Sequence, residues 1–337
     1  MRSTATPEHG GRLLQAAARY DIPVEDWLDL STGIHPEPWP VPPLPQSVWQ
    51  RLPEDDDGLD AIAAACYGSA ALLPLAGSQA AIQRLPSLFP RSRVTLLAPT
   101  YNEHPHGWLR AGHAVRGVAP RDIEPAVDDS DVLLLVQPNN PCGTLFPVGQ
   151  VLDWHARLAA RGGTLIVDEA FIDAQPDASV VSYCGDEVPG LVVLRSLGKF
   201  FGLAGARVGF LFGPRALRER LAADIGPWPV AGPSRWVAAR ALADRDWQHA
   251  QRARLAADAE RLAALLRASG WGEVSGCALF QRVLTTRAAA VHDAFCRRGI
   301  LLRLFDAPSA LRFGLPGDAA QWQRLEAAID ALRGVPA

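Results

Sequence analysis

Lysine is almost absent from this chain of 337 residues, because Lys199 is the only lysine among its 33 Lys and Arg residues. Long hydrophobic runs are absent as well, since no apolar stretch approaches the ~18 residues that span a bilayer. The first residues show no charged segment followed by an apolar one, so we expect no signal peptide and a cytoplasmic location. The five cysteines are odd in number and form no CxxC pair, which predicts thiols rather than disulfides or a zinc site.

Motifs that are missing exclude several chemistries. No GxGxxG follows a predicted strand and no GxSxG occurs, so a dinucleotide fingerprint and a serine-hydrolase elbow are lacking. Phe200 follows Gly198-Lys199 where an ATP-binding P-loop requires Ser or Thr. His104 and His106 lack the spacing of metal ligands, and a formal net charge of −3 gives no sign of a basic surface. We therefore expect no metal, no nucleic-acid partner and no membrane partner.

The apolar segments that are present alternate with segments of helical period, which indicates an α/β fold. The predicted strands are residues 93–98, 132–136, 164–167, 191–194, 208–212, 278–284 and 300–304. The predicted helices are residues 79–88, 149–160, 236–243, 248–268 and 319–332. Strands separated by helices predict a large domain with a mainly parallel sheet flanked by helices.

Two clusters of proline and glycine divide the chain. Six prolines in residues 36–45 predict a stiff, extended segment near the end of an N-terminal arm, residues 1–44. A second cluster at 225–233 precedes the elements of a smaller α/β domain, residues 226–337. Residues 45–225 then form the large domain, and we expect the arm to pack with the small domain.

Polar side chains follow four of the predicted strands at the point where each strand ends: Tyr101, Asn140, Asp168, and Ser196 with Lys199. Because the carboxyl ends of parallel strands meet at one edge of a sheet, we expect these residues to form a site. The amine of Lys199 can attack a carbonyl, which a guanidinium cannot; an exposed lysine retained by chance is the alternative. Asp168 is either a functional carboxylate or a structural hydrogen-bond hub.

A glycine turn, Gly77-Ser78-Gln79, precedes a predicted helix. The backbone N–H groups at the start of a helix suit a phosphate. A plain helix cap at Ser78 is the alternative, and the turn alone does not decide between the two.

Three motifs together resemble those of the class I and II aminotransferases, which have pyridoxal-phosphate fold type I: Asn-Asn-Pro-x-Gly at 139–143, Asp-Glu-Ala-Phe at 168–171, and Ser-x-x-Lys with a later Arg at 196–207. The resemblance implies pyridoxal 5′-phosphate as cofactor, bound by the large domain, and a homodimer. It implies two catalytic residues: Lys199, which forms a Schiff base and moves protons, and Asp168, which keeps the ring nitrogen protonated. The other cofactor-binding residues that it implies are Gly77, Ser78, Gln79, Tyr101, Asn140, Ser196 and Arg207.

Within that family the sequence is most similar to the threonine-phosphate decarboxylases of cobalamin biosynthesis. The similarity lies in His-Gly-Gly at 9–11, Gly-Ile-His-Pro at 33–36 and Gly-Ile-Leu-Leu-Arg at 299–303. It implies decarboxylation of a small phosphorylated amino acid, O-phospho-L-threonine, to 1-amino-2-propanol phosphate and CO2. The substrate-binding residues that it implies are His9, Gly10, Gly33, Asn140, Arg303 and Arg312.

Two other functions stay open. An aminotransferase of the same family, such as a histidinol-phosphate aminotransferase, breaks a different bond at the same carbon, and substrate orientation makes the choice. A cofactor-binding regulatory or interaction protein without turnover is the second alternative. At the level of residues, 9–11 can also be a mobile terminus and Arg303 a surface residue.

Three positions depart from the family patterns. Gly33 stands where the decarboxylases often have Asn, so a side-chain contact is lost there. Leu52 stands where relatives usually have a Tyr that reaches the cofactor phosphate across the dimer. Phe171 replaces a Tyr that donates to the ring hydroxyl in aminotransferases, which favours the decarboxylase.

Overall fold

The computed structural model describes residues 9–333, which form two compact units. The first unit comprises residues 38–140 and 144–250, and the second comprises 9–37, 141–143 and 251–333. The division predicted from the sequence placed the first boundary after residue 44 and the second after residue 225. The first unit instead continues to residue 250, because a helix that follows the second proline-glycine cluster packs against a helix of this unit.

The strands are numbered β1 to β13 in the order in which they occur in the sequence. They are β1 (Leu28–Asp29), β2 (Leu72–Leu75), β3 (Arg93–Leu97), β4 (Ala114–Val118), β5 (Val132–Val136), β6 (Thr164–Asp168), β7 (Leu191–Ser196), β8 (Gly209–Phe212), β9 (Glu273–Cys277), β10 (Phe280–Leu284), β11 (Ile300–Leu301), β12 (Arg303–Asp306) and β13 (Ser309–Gly314). Each strand predicted from the sequence has a counterpart in this set with bounds shifted by a few residues, except that the strand predicted at 300–304 is two strands, β11 and β12.

The helices are numbered in the same way. They are α1 (Leu13–Tyr20), α2 (Ser47–Gln50), α3 (Leu59–Tyr67), α4 (Ser78–Arg84), α5 (Glu103–Arg110), α6 (Ile123–Ala126), α7 (Val148–Ala159), α8 (Arg215–Ile225), α9 (Gly232–Ala243), α10 (Arg245–Ala268), α11 (Ala288–Cys296) and α12 (Ala319–Leu332). The helix predicted at 79–88 ends earlier, since α4 is followed by a 3-10 turn that contains Pro86. Within residues 9–333, no helix has the length and apolarity of a membrane span.

The first unit contains a seven-stranded sheet in the order β2-β8-β7-β6-β5-β3-β4. The five strands from β7 to β4 run parallel to one another, and β8 is antiparallel to both of its neighbours. Residues of β5, β6 and β7 are buried along almost their whole length, as expected for strands covered on both faces. The prediction of an α/β fold with a mainly parallel sheet is therefore confirmed.

The second unit has two smaller sheets. Strands β12, β13, β10 and β9 form an antiparallel sheet, and β1 pairs with β11 in parallel. The single strand predicted at 300–304 is divided at Leu302, so that its two parts join different sheets. Trp271, Phe295 and Phe313 contact one another and form the aromatic part of this unit's core.

Candidate active site

The polar residues predicted to form a site follow strands that lie side by side. Strands β3, β5, β6 and β7 are neighbours and run in the same direction. Their carboxyl ends therefore lie at one edge of the sheet, where ligands bind in open α/β sheets. Tyr101, Asn140, Asp168, Ser196 and Lys199 all belong to this edge or to the turns that leave it.

Asp168 ends β6 and is only 2% exposed. Its Oδ2 is 2.8 Å from Nε2 of His104, which is buried as well, and its Oδ1 accepts a hydrogen bond from the N–H of Ala170 at 3.1 Å. Both carboxylate oxygens are thus held in place. A buried carboxylate with a fixed orientation fits a cationic ring nitrogen. The sequence interpretation missed His104 as a partner, because nothing in the sequence marks a contact 64 residues away.

Lys199 lies in the turn that follows β7 and is half-buried. Its Nζ lies 5.4 Å from the centre of the Phe171 ring, which is itself buried. The Oγ of Ser196 accepts a hydrogen bond from the N–H of Gly198 at 3.2 Å, which shapes this turn. The only amine of a lysine in the chain therefore stands at the sheet edge beside an apolar ring.

Four of the predicted phosphate-binding residues converge at the start of α4. Gly77 has φ of 76°, and a Cβ at this position would lie 2.8 Å from Nη2 of Arg207. Ser196 is paired in register with Gly209, where a Cβ would lie 2.4 Å from the backbone nitrogen of Ser78. Gly77 requires glycine because of its positive φ, and Gly209 requires it because a Cβ would clash with backbone atoms. Backbone N–H groups, a hydroxyl and a guanidinium in this arrangement fit a phosphate.

Tyr101 and Gln79 form a hydrogen-bonded chain with Glu103. The hydroxyl of Tyr101 donates to Oε1 of Gln79 at 3.2 Å, and Nε2 of Gln79 donates to Oε2 of Glu103 at 2.8 Å. Burial, together with the negative charges of Glu103 and Asp168, raises the pKa of Tyr101, so the phenol is protonated at neutral pH. The side-chain amide of Gln79 is thus engaged by Tyr101 and Glu103. Sequence reasoning had not found Glu103.

Asn140 is half-buried and follows Asn139, which anchors the loop. Oδ1 of Asn139 accepts from the hydroxyl of Thr100 at 2.8 Å, and its Nδ2 donates to the carbonyl oxygen of Pro99 at 2.9 Å. The loop that carries Asn140 is therefore tied to the loop that follows β3.

Arg312 is the central residue of the predicted substrate site in the second unit. It is 6% exposed, and its Nη2 donates to the carbonyl oxygen of Ser31 at 2.7 Å. In register it is paired with Arg303 on β12 and with Arg282 on β10, so three arginines lie abreast. Burial and the positive charge of Arg303 lower the pKa of Arg312 to about 10, which leaves it charged at neutral pH. An anion beside Arg312 would offset this cost.

A cavity of about 360 Å³ in the second unit is lined by His9, Gly10 and Arg303. The backbone bends closely around Ser31, because a Cβ on Gly10 would lie 2.4 Å from the Ser31 carbonyl oxygen and the N–H of Gly11 donates to the Ser31 hydroxyl at 2.8 Å. The structure therefore brings together three of the residues predicted to bind substrate. Arg303 is half-buried on the cavity wall, as are His9 and Gly10.

The three residues that depart from the family patterns differ in their burial and contacts. Gly33 is buried with φ of 72°, a conformation that glycine adopts freely and asparagine tolerates, so the backbone can be the same with either residue. Leu52 is 63% exposed on the first unit. Phe171 is buried against Lys199, as described above.

Comparison with known proteins identifies the family. Residues 60–329 match the protein-family model for aminotransferase class I and II. The chain therefore belongs to the class I and II aminotransferase family.

Within this family the chain is 56% identical to a threonine-phosphate decarboxylase from Pseudomonas aeruginosa, over 96% of this chain and 97% of that protein. It is 41% identical to a threonine-phosphate decarboxylase from a Sinorhizobium species, over 95% of this chain and 97% of that protein. It is 30% identical to a histidinol-phosphate aminotransferase from Shewanella amazonensis, over 84% of this chain and 82% of that protein.

Two solved structures confirm the fold. The histidinol-phosphate aminotransferase from Clostridium acetobutylicum superposes with a TM-score of 0.80 at 20% identity, covering 91% of this chain and 99% of that chain. The histidinol-phosphate aminotransferase from Sinorhizobium meliloti, in complex with pyridoxal 5′-phosphate, has a TM-score of 0.79 at 20% identity and covers 98% and 100%. The fold type inferred from the three motifs is therefore correct.

Proposed function

We propose that this chain is a pyridoxal-phosphate-dependent enzyme that decarboxylates O-phospho-L-threonine to 1-amino-2-propanol phosphate and CO2. The observation that carries the proposal is the 56% identity to a threonine-phosphate decarboxylase along 96% of the chain. The proposal includes a role in cobalamin biosynthesis and a homodimer, which the sequence resemblance implies. It also includes the cytoplasmic location expected from the first residues of the sequence.

The residues of the first unit suit the cofactor. When bound, pyridoxal phosphate supplies a ring that takes up the electron pair released at the α-carbon of the substrate. The amine of Lys199 holds the cofactor covalently, and the buried carboxylate of Asp168 keeps the ring nitrogen protonated. The Gly77, Ser78 and Arg207 cluster holds the phosphate.

The residues of the second unit suit a substrate with two anionic ends. Arg312 binds the carboxylate, since its guanidinium is desolvated and an anion there restores the lost charge stabilisation. Arg303 binds the phosphate end together with His9 and Gly10 on the cavity wall. Holding both ends orients the bonds at the α-carbon, and this orientation selects loss of CO2 rather than of a proton. Lys199 then returns a proton to that carbon.

Product analysis of the purified holoenzyme with O-phospho-L-threonine tests the proposal. We expect CO2 and 1-amino-2-propanol phosphate in equal amounts and no keto acid. Release of a keto acid, with the aminated cofactor accumulating, would favour the histidinol-phosphate-type aminotransferase. A bound chromophore without turnover on any phosphorylated amino acid would favour a non-catalytic binding protein.

Lys199→Arg is the first variant to measure. It keeps the positive charge but cannot form the covalent link, so we expect the rate to fall by at least about 10³-fold. Borohydride should no longer trap a pyridoxyl label on this variant. Arg267→Lys, at an exposed position of α10, is the control and should keep the wild-type rate. Normal decarboxylation by Lys199→Arg would contradict the proposal.

A further inference from the structure

Two charged residues stand directly beside the candidate active-site residues on neighbouring strands. Glu169 follows Asp168 at the end of β6, and Arg195 precedes Ser196 on β7. The N–H of Glu169 donates to the carbonyl oxygen of Leu194 at 2.9 Å, so the two strand ends are hydrogen-bonded at this level. Because successive side chains of a strand point to opposite faces, Glu169 and Arg195 lie on the face opposite to Asp168 and Ser196.

The packing agrees with this alternation. Ile166 and Leu194, which share the face of Asp168, belong to the same buried hydrophobic cluster as Trp108 of α5. The guanidinium of Arg195 instead lies 4.4 Å from the centre of the Tyr67 ring, on α3. The two faces are thus covered by different helices.

Arg195 joins two carboxylates behind the site. Its Nη1 donates to Oε2 of Glu169 at 2.8 Å, and its Nη2 donates to Oδ1 of Asp173 at 2.5 Å. All three residues are at most 3% exposed. Glu169 also accepts from the hydroxyl of Ser179 at 2.5 Å and from the N–H of Val180 at 2.7 Å. We refer to Glu169, Asp173 and Arg195 as the buried brace.

The charges of the buried brace make its geometry hard to change. Burial opposes the charge on Arg195, but the negative charges of Asp173 and Glu169 outweigh it and raise the pKa of the guanidinium. Burial raises the pKa of Glu169, against the stabilising charge of Arg195. Since separating such a pair leaves an uncompensated buried charge, these side chains keep one arrangement.

We propose that the buried brace is a positioning device for the candidate active site. It joins the ends of β6 and β7 from behind, so that Asp168 and the turn from Ser196 to Lys199 keep one separation. The inference rests on the proposed function, which assigns Asp168 and Lys199 to the cofactor. Displacements of a fraction of an ångström in such groups reduce turnover more than substrate binding. A brace that only stabilised the fold would leave the orientation of the bound cofactor unchanged.

The experiment compares two conservative variants of the holoenzyme, Arg195→Lys and Asp173→Asn, with the control Arg157→Lys. Arg157 also contacts two carboxylates, Glu124 and Asp128, but these lie on the exposed surface of the first unit. The readouts are visible circular dichroism of the bound cofactor, which reports its fixed orientation, and kcat and KM for O-phospho-L-threonine.

For both brace variants we expect unchanged far-ultraviolet circular dichroism, a reduced visible signal and a kcat lower by about tenfold, with KM within about twofold. The effect of Arg157→Lys should be within error. Unchanged visible circular dichroism and kcat in both variants, with only a lower Tm, would overturn the proposal.

The experiment also gives a clear answer if one variant fails to fold or if the proposed function is wrong. If Arg195→Lys does not fold, Asp173→Asn decides, because its Oδ1 can still accept from Arg195 while the charge is removed. If the wild-type enzyme does not decarboxylate O-phospho-L-threonine, the proposed function fails. In that case the visible signal of the variants still tests the buried brace, since it reports the bound cofactor rather than the reaction.

Discussion

Two buried arginines, one in each unit, show opposite electrostatic settings. Arg195 of the first unit donates to two buried carboxylates, Glu169 and Asp173, and its pKa is raised. Arg312 of the second unit donates to the carbonyl oxygen of Ser31, and its pKa is lowered to about 10. Burial acts on both guanidinium groups, but only at Arg195 does nearby negative charge outweigh it.

The difference distinguishes a positive charge that is compensated by carboxylates within the fold from one that a bound anion would stabilise. A buried arginine whose charge is balanced by the fold contributes rigidity, and removing it leaves carboxylates without compensation. A buried arginine whose pKa is lowered gains from an incoming anion, which stabilises its charged form. On this reasoning we expect Arg195 to stabilise the fold and Arg312 to gain from a bound anion.

The largest expected effect is a difference in stability between two variants in which each arginine is replaced by methionine. Arg195→Met should lower the free energy of unfolding by about 3–5 kcal/mol, because two buried carboxylates lose the positive charge that compensates them. Arg312→Met should lower it by less, because burial and the charge of Arg303 disfavour the guanidinium charge, and removing that charge offsets part of the loss of the hydrogen bond to Ser31. Urea unfolding of both variants without substrate gives the comparison, and equal losses would contradict it.

A second expected effect concerns His35, another buried group of the second unit. Its Nδ1 accepts from the N–H of Glu37 at 2.9 Å, so Nε2 carries the proton and donates to Oε1 of Gln251 at 3.0 Å. Burial lowers the pKa of His35 to about 4, from an ordinary value of 6.5. Between these pH values the unfolded chain binds a proton that the folded chain does not, so stability falls as pH falls.

The expected loss is about 3 kcal/mol between pH 6.5 and pH 4. His35→Gln removes the titrating group, so the stability difference between wild type and this variant should shrink by most of that amount on acidification. Urea unfolding at pH 7 and pH 4.5 measures it, and hydrogen exchange of β1 and β11 assigns it to the second unit. A difference that does not depend on pH would show that the pKa of His35 is the same in the folded and the unfolded chain.

The smallest effect is expected for Arg303→Gln. Loss of one charge-assisted contact to the phosphate should raise KM for O-phospho-L-threonine about tenfold. The visible spectrum of the bound cofactor should not change, because Arg303 is not one of the residues proposed to bind the cofactor. Arg298→Gln, at an exposed position of the same unit, is the matched control. An altered cofactor spectrum with unchanged KM would contradict the proposal that Arg303 binds the substrate rather than the cofactor.

The parts of the fold that could be predicted are those with a local signal. Strands β5, β6 and β7 are continuous apolar runs, and such runs are typical of strands buried on both faces. Strand β4 was missed because its sequence, Ala-Val-Arg-Gly-Val, is partly exposed at the sheet edge and shows no apolar run. Strand β13 was missed although Arg312 was singled out, since its pairing with β10 and β12 joins distant segments.

For the candidate site, the sequence motifs predicted the residues with chemical roles but not the residues that hydrogen-bond to them or support them. The motifs name Asp168 and Lys199 because their chemistry requires a carboxylate and an amine. They do not name His104, Glu103 or the buried brace, because any of several residue types can support a neighbour through packing or a hydrogen bond. The roles of the predicted site residues remain predictions for the variants above to test.

The sequence by itself determined which side chain can form a Schiff base, because Lys199 is the only lysine. It also determined the family, because three motifs occur in order. Only the tertiary structure decided which charges are balanced. The contacts that set this balance join residues 22 positions apart at Arg195 and Asp173, 64 at His104 and Asp168, and 281 at Arg312 and Ser31. Desolvation and Coulomb interactions depend on distances in space, and these arise only when the chain folds.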